Sequence, residues 1–111
     1  MKLIYPSKGD FTAIVSNMSS TQLCARFARH FNHSKIKSCK LYAPASLSGV
    51  DFSDHLNYWK MGVPSIMVTD TSFYRNPNYH KSTDTVSTLN FDSMSHTVVG
   101  TFYGVLNIAN K

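Results

Sequence analysis

Six uncharged residues, Pro64–Thr69 (PSIMVT), set the architecture of this chain. The run follows Gly62-Val63, is closed by Asp70, and is too short for a helix. An uninterrupted apolar run of this length reads as a strand covered on both faces. A strand this apolar does not suit an open sheet edge, so more sheet is expected on one side of it. Covering both faces requires helices above and below, which points to an α/β class.

The other segments fit that plan. Phe11–Ser16, FTAIVS, follows Lys8-Gly9 and reads as a first strand. Ser19 with Gln22 three residues on forms a capping-box pattern that opens a helix. Leu23, Phe27 and Phe31 then recur at i, i+4 and i+8 as a core stripe, with Arg26 and Arg29 outward. His30 and His33 fall off the stripe at the helix end, where an imidazole caps carbonyls or meets solvent. Lys37–Ala43 is a second strand, stopped by Pro44, and Ala45–Phe52 is a loop. Ser53 suits an N-cap, and Asp54 suits the positive end of a short helix through Leu56, Trp59 and Lys60 that Gly62 ends. After Pro64–Thr69 a long loop spans Asp70–Thr88. A last helix starts near Asn90, with Met94, Val98, Thr101, Phe102, Val105 and Ala109 as its apolar face. Its Gly100 and Gly104 are expected to let it close against a sheet. Three strands alternating with three helices make a partial three-layer α/β sandwich, a single partial domain over residues 1–111.

Composition narrows the partners. No apolar run reaches the ~18 residues of a membrane span, and Met1-Lys2-Leu3-Ile4-Tyr5-Pro6 lacks the apolar stretch of a leader. Eleven Lys and Arg against six Asp give a formal charge of +5. Most of the basic residues are scattered, except Lys35, Lys37 and Lys40, which have Ile36 and Tyr42 nearby but no RNA-type aromatic motif. That cluster reads as a solvated strand edge, and nucleic-acid binding is disfavoured. Cys24 and Cys39 fall on different elements, and neither has a second ligand at zinc-finger spacing. Two buried free thiols are the simpler reading, and a single disulfide is the other.

Chemistry concentrates in Asp70–Thr85, DTSFYRNPNYHKSTDT. His80 lies between Tyr79 and Asp84-Thr85 on a loop leaving the carboxyl end of a strand, the end where open α/β sheets bind ligands. An imidazole so placed suits a metal. Tyr79 beside it can hydrogen-bond a developing oxyanion, and Asp54 or Asp84 can hold the other ring nitrogen. The plain alternative is that His80 and Tyr79 only pin a long loop. Against a hydrolytic site stands the absence of any glutamate, since such zinc sites need several carboxylates and a general base.

The order of these motifs resembles the C-terminal segment of the zinc-dependent aminopeptidases, metallopeptidase family twenty-eight, which includes leucyl aminopeptidases, glutamate carboxypeptidases and glutaminyl cyclases. The resemblance rests on Ser53-Asp54-His55, Tyr58-Trp59, Gly62-Val63-Pro64, Thr69-Asp70-Thr71, Tyr74-Arg75-Asn76, and Tyr79-His80 with Asp84-Thr85. Gly9-Asp10-Phe11, and Leu89-Asn90-Phe91 with Met94, extend it over nearly the whole chain. It implies two zinc ions in the family and metal-assisted hydrolysis of N-terminal peptide bonds. It further implies His80 as a metal ligand, Tyr79 as a catalytic donor to the tetrahedral intermediate, and Asp54 and Asp84 as carboxylates that orient ligands. Arg75 and Asn76 line the substrate side or brace the loop. The other ligands and the glutamate base lie upstream in the family, so the chain corresponds to roughly the last third of a catalytic domain and is expected to be inactive alone.

A peptide substrate is therefore implied only for the completed domain. The alternative from another class is a non-catalytic module whose open sheet edge pairs with a copy of itself, a homo-oligomer, or with another chain. Family relatives are commonly secreted, and the compartment of this chain is left open.

Overall fold

The computed structural model describes residues 9–44 and 49–110. Its centre is β1 (Phe11–Ser16), every residue of which is buried. β2 (Lys37–Tyr42) lies on one side of it and β3 (Ile66–Thr69) on the other, in the order β2-β1-β3. β1 and β2 run parallel, from Phe11 opposite Lys37 to Ser16 opposite Tyr42. β3 runs antiparallel to β1, with Ala13 opposite Thr69 and Ser16 opposite Ile66. The sheet is thus mixed, and the α/β class read from the sequence holds.

Alternation along β1 sorts the core into two layers. Phe11, Ala13 and Val15 face one side, where Ala43, Val50, Cys39, Leu41, Trp59 and Met67 pack on them. α2 (His55–Lys60) belongs to this side. Ile14 faces the other, against Cys24, Phe27, Ala28 and Phe31 of α1 (Thr21–Phe31), with Ile36, Ile66, Val68 and Ile108 at the margin. α3 (Phe91–Ala109) joins this second layer by packing along α1. The hydroxyls of Thr12 and Thr97, 3.1 Å apart, tie it to the sheet.

Five local expectations are corrected. The capping box at Ser19 and Gln22 does not form: residues 18–20 make a 3-10 turn capped by Asn17, whose Oδ1 accepts from the Ser20 amide at 3.0 Å. Asn wins because its carbonyl reaches the amide three residues on, while the Ser19 hydroxyl donates back to that same Asn17 oxygen. Ser53 does not cap α2 with its side chain either; Asp54 holds the N-cap position, and no side chain closes it. Gly100 and Gly104 close α3 against the Phe31 and Phe27 rings of α1, not against a sheet. The apolar face read for α3 turns outward: Val98, Phe102 and Val105 are each more than half exposed. β3 lies at the sheet edge among the described residues, with each of its four residues half-buried.

The imidazole expectation for the end of α1 holds. His33 Nδ1 donates to the His30 carbonyl at 2.9 Å, and its ring stacks on His30 and leans on Tyr103 of α3. Gly62, with φ +73, ends α2 in the left-handed conformation that only glycine adopts at no cost.

Both cysteines are free, and they lie in the core layers on opposite sides of the sheet, Cys24 on α1 and Cys39 on β2, which excludes the disulfide reading. The Cys24 thiol donates to the Ile14 carbonyl, and burial pushes it above its ordinary value against the opposing pull of Ser16 and Lys40. The unfolded chain therefore releases this proton at lower pH than the folded one, and stability falls as the pH rises through that alkaline window. We expect a thiol reagent at pH 8 to modify Cys39 in the native protein and both cysteines in denaturant. Rapid labelling of Cys24 in the folded chain would contradict its enclosure.

Candidate functional site

The candidate site is the loop that leaves β3. Where β3 ends, Asp70 and Thr71 fold the backbone sharply: Thr69 Oγ1 accepts from the Thr71 amide at 3.0 Å, and Asp70 Oδ1 accepts from the Ser72 amide at 2.8 Å. Thr71 and Ser72 both have positive φ, +74 and +45. A β-branched residue in that region is strained, and the two side-chain hydrogen bonds at this corner hold it there. A 3-10 turn over Ser72–Tyr74 follows.

Arg75 anchors the turn. Its Nε donates to Thr71 Oγ1 at 2.7 Å, and its Nη1 donates to the carbonyls of Gly9 at 2.8 Å and Phe11 at 2.9 Å. The guanidinium also lies over the Phe11 ring, 4.4 Å from its centroid. Burial pulls the guanidinium below its ordinary value, and the charges of Asp70 and Asp10 oppose that shift. Arg75 thus fastens the loop to the start of β1. Lysine has a single nitrogen and cannot reproduce this three-way grip. Arg75→Lys is therefore expected to cost about 1–2 kcal/mol and to speed proteolysis within residues 70–88. Unchanged urea stability and cleavage would show that the anchor is not needed.

Beyond the anchor, Asn76 Oδ1 accepts from the Asn78 amide at 2.9 Å, and the Tyr79 amide donates to the Asn76 carbonyl. This brings the chain to His80, which also has positive φ, +57. Its ring stacks on Tyr79 with centroids 4.1 Å apart and planes 12° from parallel, and the residue is exposed. Tyr79 in turn meets Phe73 at 6.0 Å, and Phe73 meets Tyr74 and Phe52. The aromatic row therefore runs from Phe52 ahead of α2 to the His80 imidazole. Gly49, at φ +89, comes so close that a Cβ there would lie 2.9 Å from the Phe73 ring.

The two carboxylates named from the sequence are exposed: Asp54 at the start of α2, and Asp84 in the turn after His80, where its amide donates to the Lys81 carbonyl. Because β3 is antiparallel, its carboxyl end shares a rim with the amino end of β1. The loop does not sit at the carboxyl ends of the parallel pair, as the rule for open parallel sheets would place it.

His55, named in the motif but given no role, is part of the core. Its Nε2 meets the Val50 carbonyl, which can only accept, so that nitrogen carries the proton. Its Nδ1 is buried without a hydrogen-bond partner, and its ring stands edge-on to Trp59 at 4.5 Å. Trp59 donates to the Ser65 carbonyl, and the Ser65 amide donates to Ser20, so the helix is tied to the entry of β3. Sequence reasoning missed this network; it offered loop bracing as one of two roles for Arg75, without its partners Gly9 and Phe11. The one visible signal was the proximity of polar residues to the Gly62-Val63-Pro64 turn.

Among the described residues, no three histidine, cysteine or acidic side chains gather into a group that could hold a metal. The donors present do not fit a complete zinc site.

The chain belongs to Peptidase family M28, whose family model matches residues 6–102. Members of that family typically bind zinc. The chain is 39% identical over 101 residues to the uncharacterized protein YfbL of Escherichia coli (strain K12). The match covers 90% of this chain but only 31% of the relative, so the chain spans less than a third of that curated protein's length. No solved structure matches it.

Proposed function

We propose that this chain is one part of an M28 zinc peptidase domain, contributing His80 as a single imidazole ligand, and that alone it hydrolyses no peptide. The observation behind this reading is His80 itself: an exposed imidazole on left-handed backbone, stacked on Tyr79, with no further ligands gathered around it among the described residues. A catalytic zinc takes three protein ligands, and this loop offers one. With no glutamate in the chain, the general base and the remaining ligands come from polypeptide outside these 111 residues.

In the completed domain the reaction would be hydrolysis of an N-terminal peptide bond. The Tyr79 phenol, beside His80, would donate to the oxyanion that forms at the attacked carbonyl. Asp54 and Asp84 would orient neighbouring groups. Asn76 would face the substrate, while the contacts of Arg75 favour the bracing role over a direct one. Strain at Thr71, Ser72 and His80 supports the reading, since backbone of this kind concentrates at functional loops.

The test has two arms. The purified chain, loaded with zinc and dialysed, is expected to retain no more metal than a His80→Ala control. A chimera in which this chain replaces the matching third of YfbL is expected to hold zinc, and to lose part of it on His80→Ala. Stoichiometric, His80-dependent zinc in the isolated chain would mean that copies of the chain assemble a site themselves. A chimera whose zinc ignores His80 would end the ligand assignment.

A further inference from the structure

The two long helices of one layer have opposite exteriors. α1 turns Gln22 and Arg29 to solvent, the ordinary dress of a surface helix. α3 has no Lys, Arg, Asp or Glu from Ser93 to Asn110. Its inner line, Gly100 and Gly104, is occupied by α1. Its outer face shows Val98 at 63% exposure, Phe102 at 60% and Val105 at 54%, with Val99, Tyr103 and Leu106 beside them. A helix with no charged side chain over this length lacks the solvent face of a surface helix, and an exposed apolar patch of this kind marks a contact surface. No helix among the described residues is long and apolar enough to cross a membrane.

The sheet shows the same asymmetry. The β2 edge carries Lys37 and Lys40, charges that protect an open strand. The β3 edge, Ile66-Met67-Val68-Thr69, carries none and is unpaired on its outer side among the described residues. One strand edge and one helix face are therefore finished for solvent, and one of each is not. The relative that matches this chain is more than three times the length of the matched part.

We infer that the outer face of α3 and the free edge of β3 form the surface on which the remainder of an M28 domain docks. The occupant is the part of such a domain that this chain does not match. It presents an apolar face to Val98, Phe102 and Val105 and an edge strand to β3. This rests on the reading of the chain as part of a longer peptidase domain, but it concerns packing surfaces and not the metal.

The segment of YfbL outside the match, produced separately, is the probe. Mixed with the full chain, it is expected to give a 1:1 complex by light scattering, with new hydrogen-exchange protection on Ile66–Thr69 and α3. A Val98→Lys/Phe102→Lys variant is expected to weaken that complex about tenfold or more, while His80→Ala leaves it unchanged. Equal binding by the lysine variant would overturn the inference. So would a symmetric dimer of this chain that the same substitutions dissolve, with no heterocomplex.

Should the YfbL segment fail to fold alone, the chimera gives the second measurement. There the lysine pair is expected to lower the thermal midpoint sharply, but in the isolated chain to leave it unchanged. Equal small shifts in both proteins would count against the surface. Complex formation without zinc would sink the ligand assignment and leave the surface standing; a zinc-loaded chimera indifferent to the lysine pair would do the reverse.

Discussion

Phe31→Ala is expected to destabilise the chain by about 3–5 kcal/mol, the largest loss for any single truncation in the core. Phe31 is fully enclosed, closes the end of α1 over Ile14, and lies 6.0 Å from the Phe27 ring. It also fills the space left by Gly100, where a Cβ would come within 2.8 Å of its ring. Truncation thus opens a cavity between two helices and the sheet at once. A domain of this size holds only about 5–15 kcal/mol in total, so the variant would be partly unfolded at ordinary temperature. The control is Phe102→Ala on the outer face of α3, expected to stay within about 0.5 kcal/mol in the isolated chain. Urea unfolding decides between them, and comparable losses for both would mean that α3 is packed the other way round.

Gly104→Leu is the second large effect, expected at about 3 kcal/mol or more. A Cβ at Gly104 would lie 2.6 Å from two atoms of the Phe27 ring, itself only 3% exposed, so the ring has nowhere to move. Gly104→Ala is milder, because alanine recovers about 1 kcal/mol of helix propensity against the overlap. Pairing Gly104→Ala with Phe27→Leu tests the contact directly. If the two residues meet, the double variant is more stable than the sum of the singles by about 0.5 kcal/mol or more. Strict additivity would separate the helices by more than this structure allows.

What could be read from the residues, and what could not, divides along physical lines. β1 matches its expected bounds because a short uncharged run between turn residues has one reading. The α1 stripe held for Phe27 and Phe31 because charged residues on the opposite side break the symmetry. α3 offers no such contrast. With no charged residue from Ser93 on to mark a solvent face, periodicity cannot say which face is inward, and the true seam, Gly100 and Gly104, contributes no hydrophobicity to the pattern. The candidate loop was located from its Tyr-His and Asp-Thr pairs, but its shape was hidden. Nothing in Thr71 or Ser72 announces positive φ, which is imposed by bonds to Thr69, Asp70 and Arg75. Arg75 reaches Gly9 and Phe11, partners far back in the chain that no local pattern reveals. The direction of β3, which puts the loop at the rim opposite to the one expected, is likewise set by its pairing with β1.

The central place of β1 has a bearing on how the chain is made. Among the described residues β1 precedes α1 and β2 directly in the chain, so that flank can zip as soon as residue 42 is free. Its other flank waits for Ile66–Thr69. At roughly 5–20 residues per second, Ala13, Ile14 and Val15 spend a second or more of translation with a bare hydrogen-bonding edge. That interval is when a nascent copy is most open to a neighbouring ribosome's product or to a chaperone.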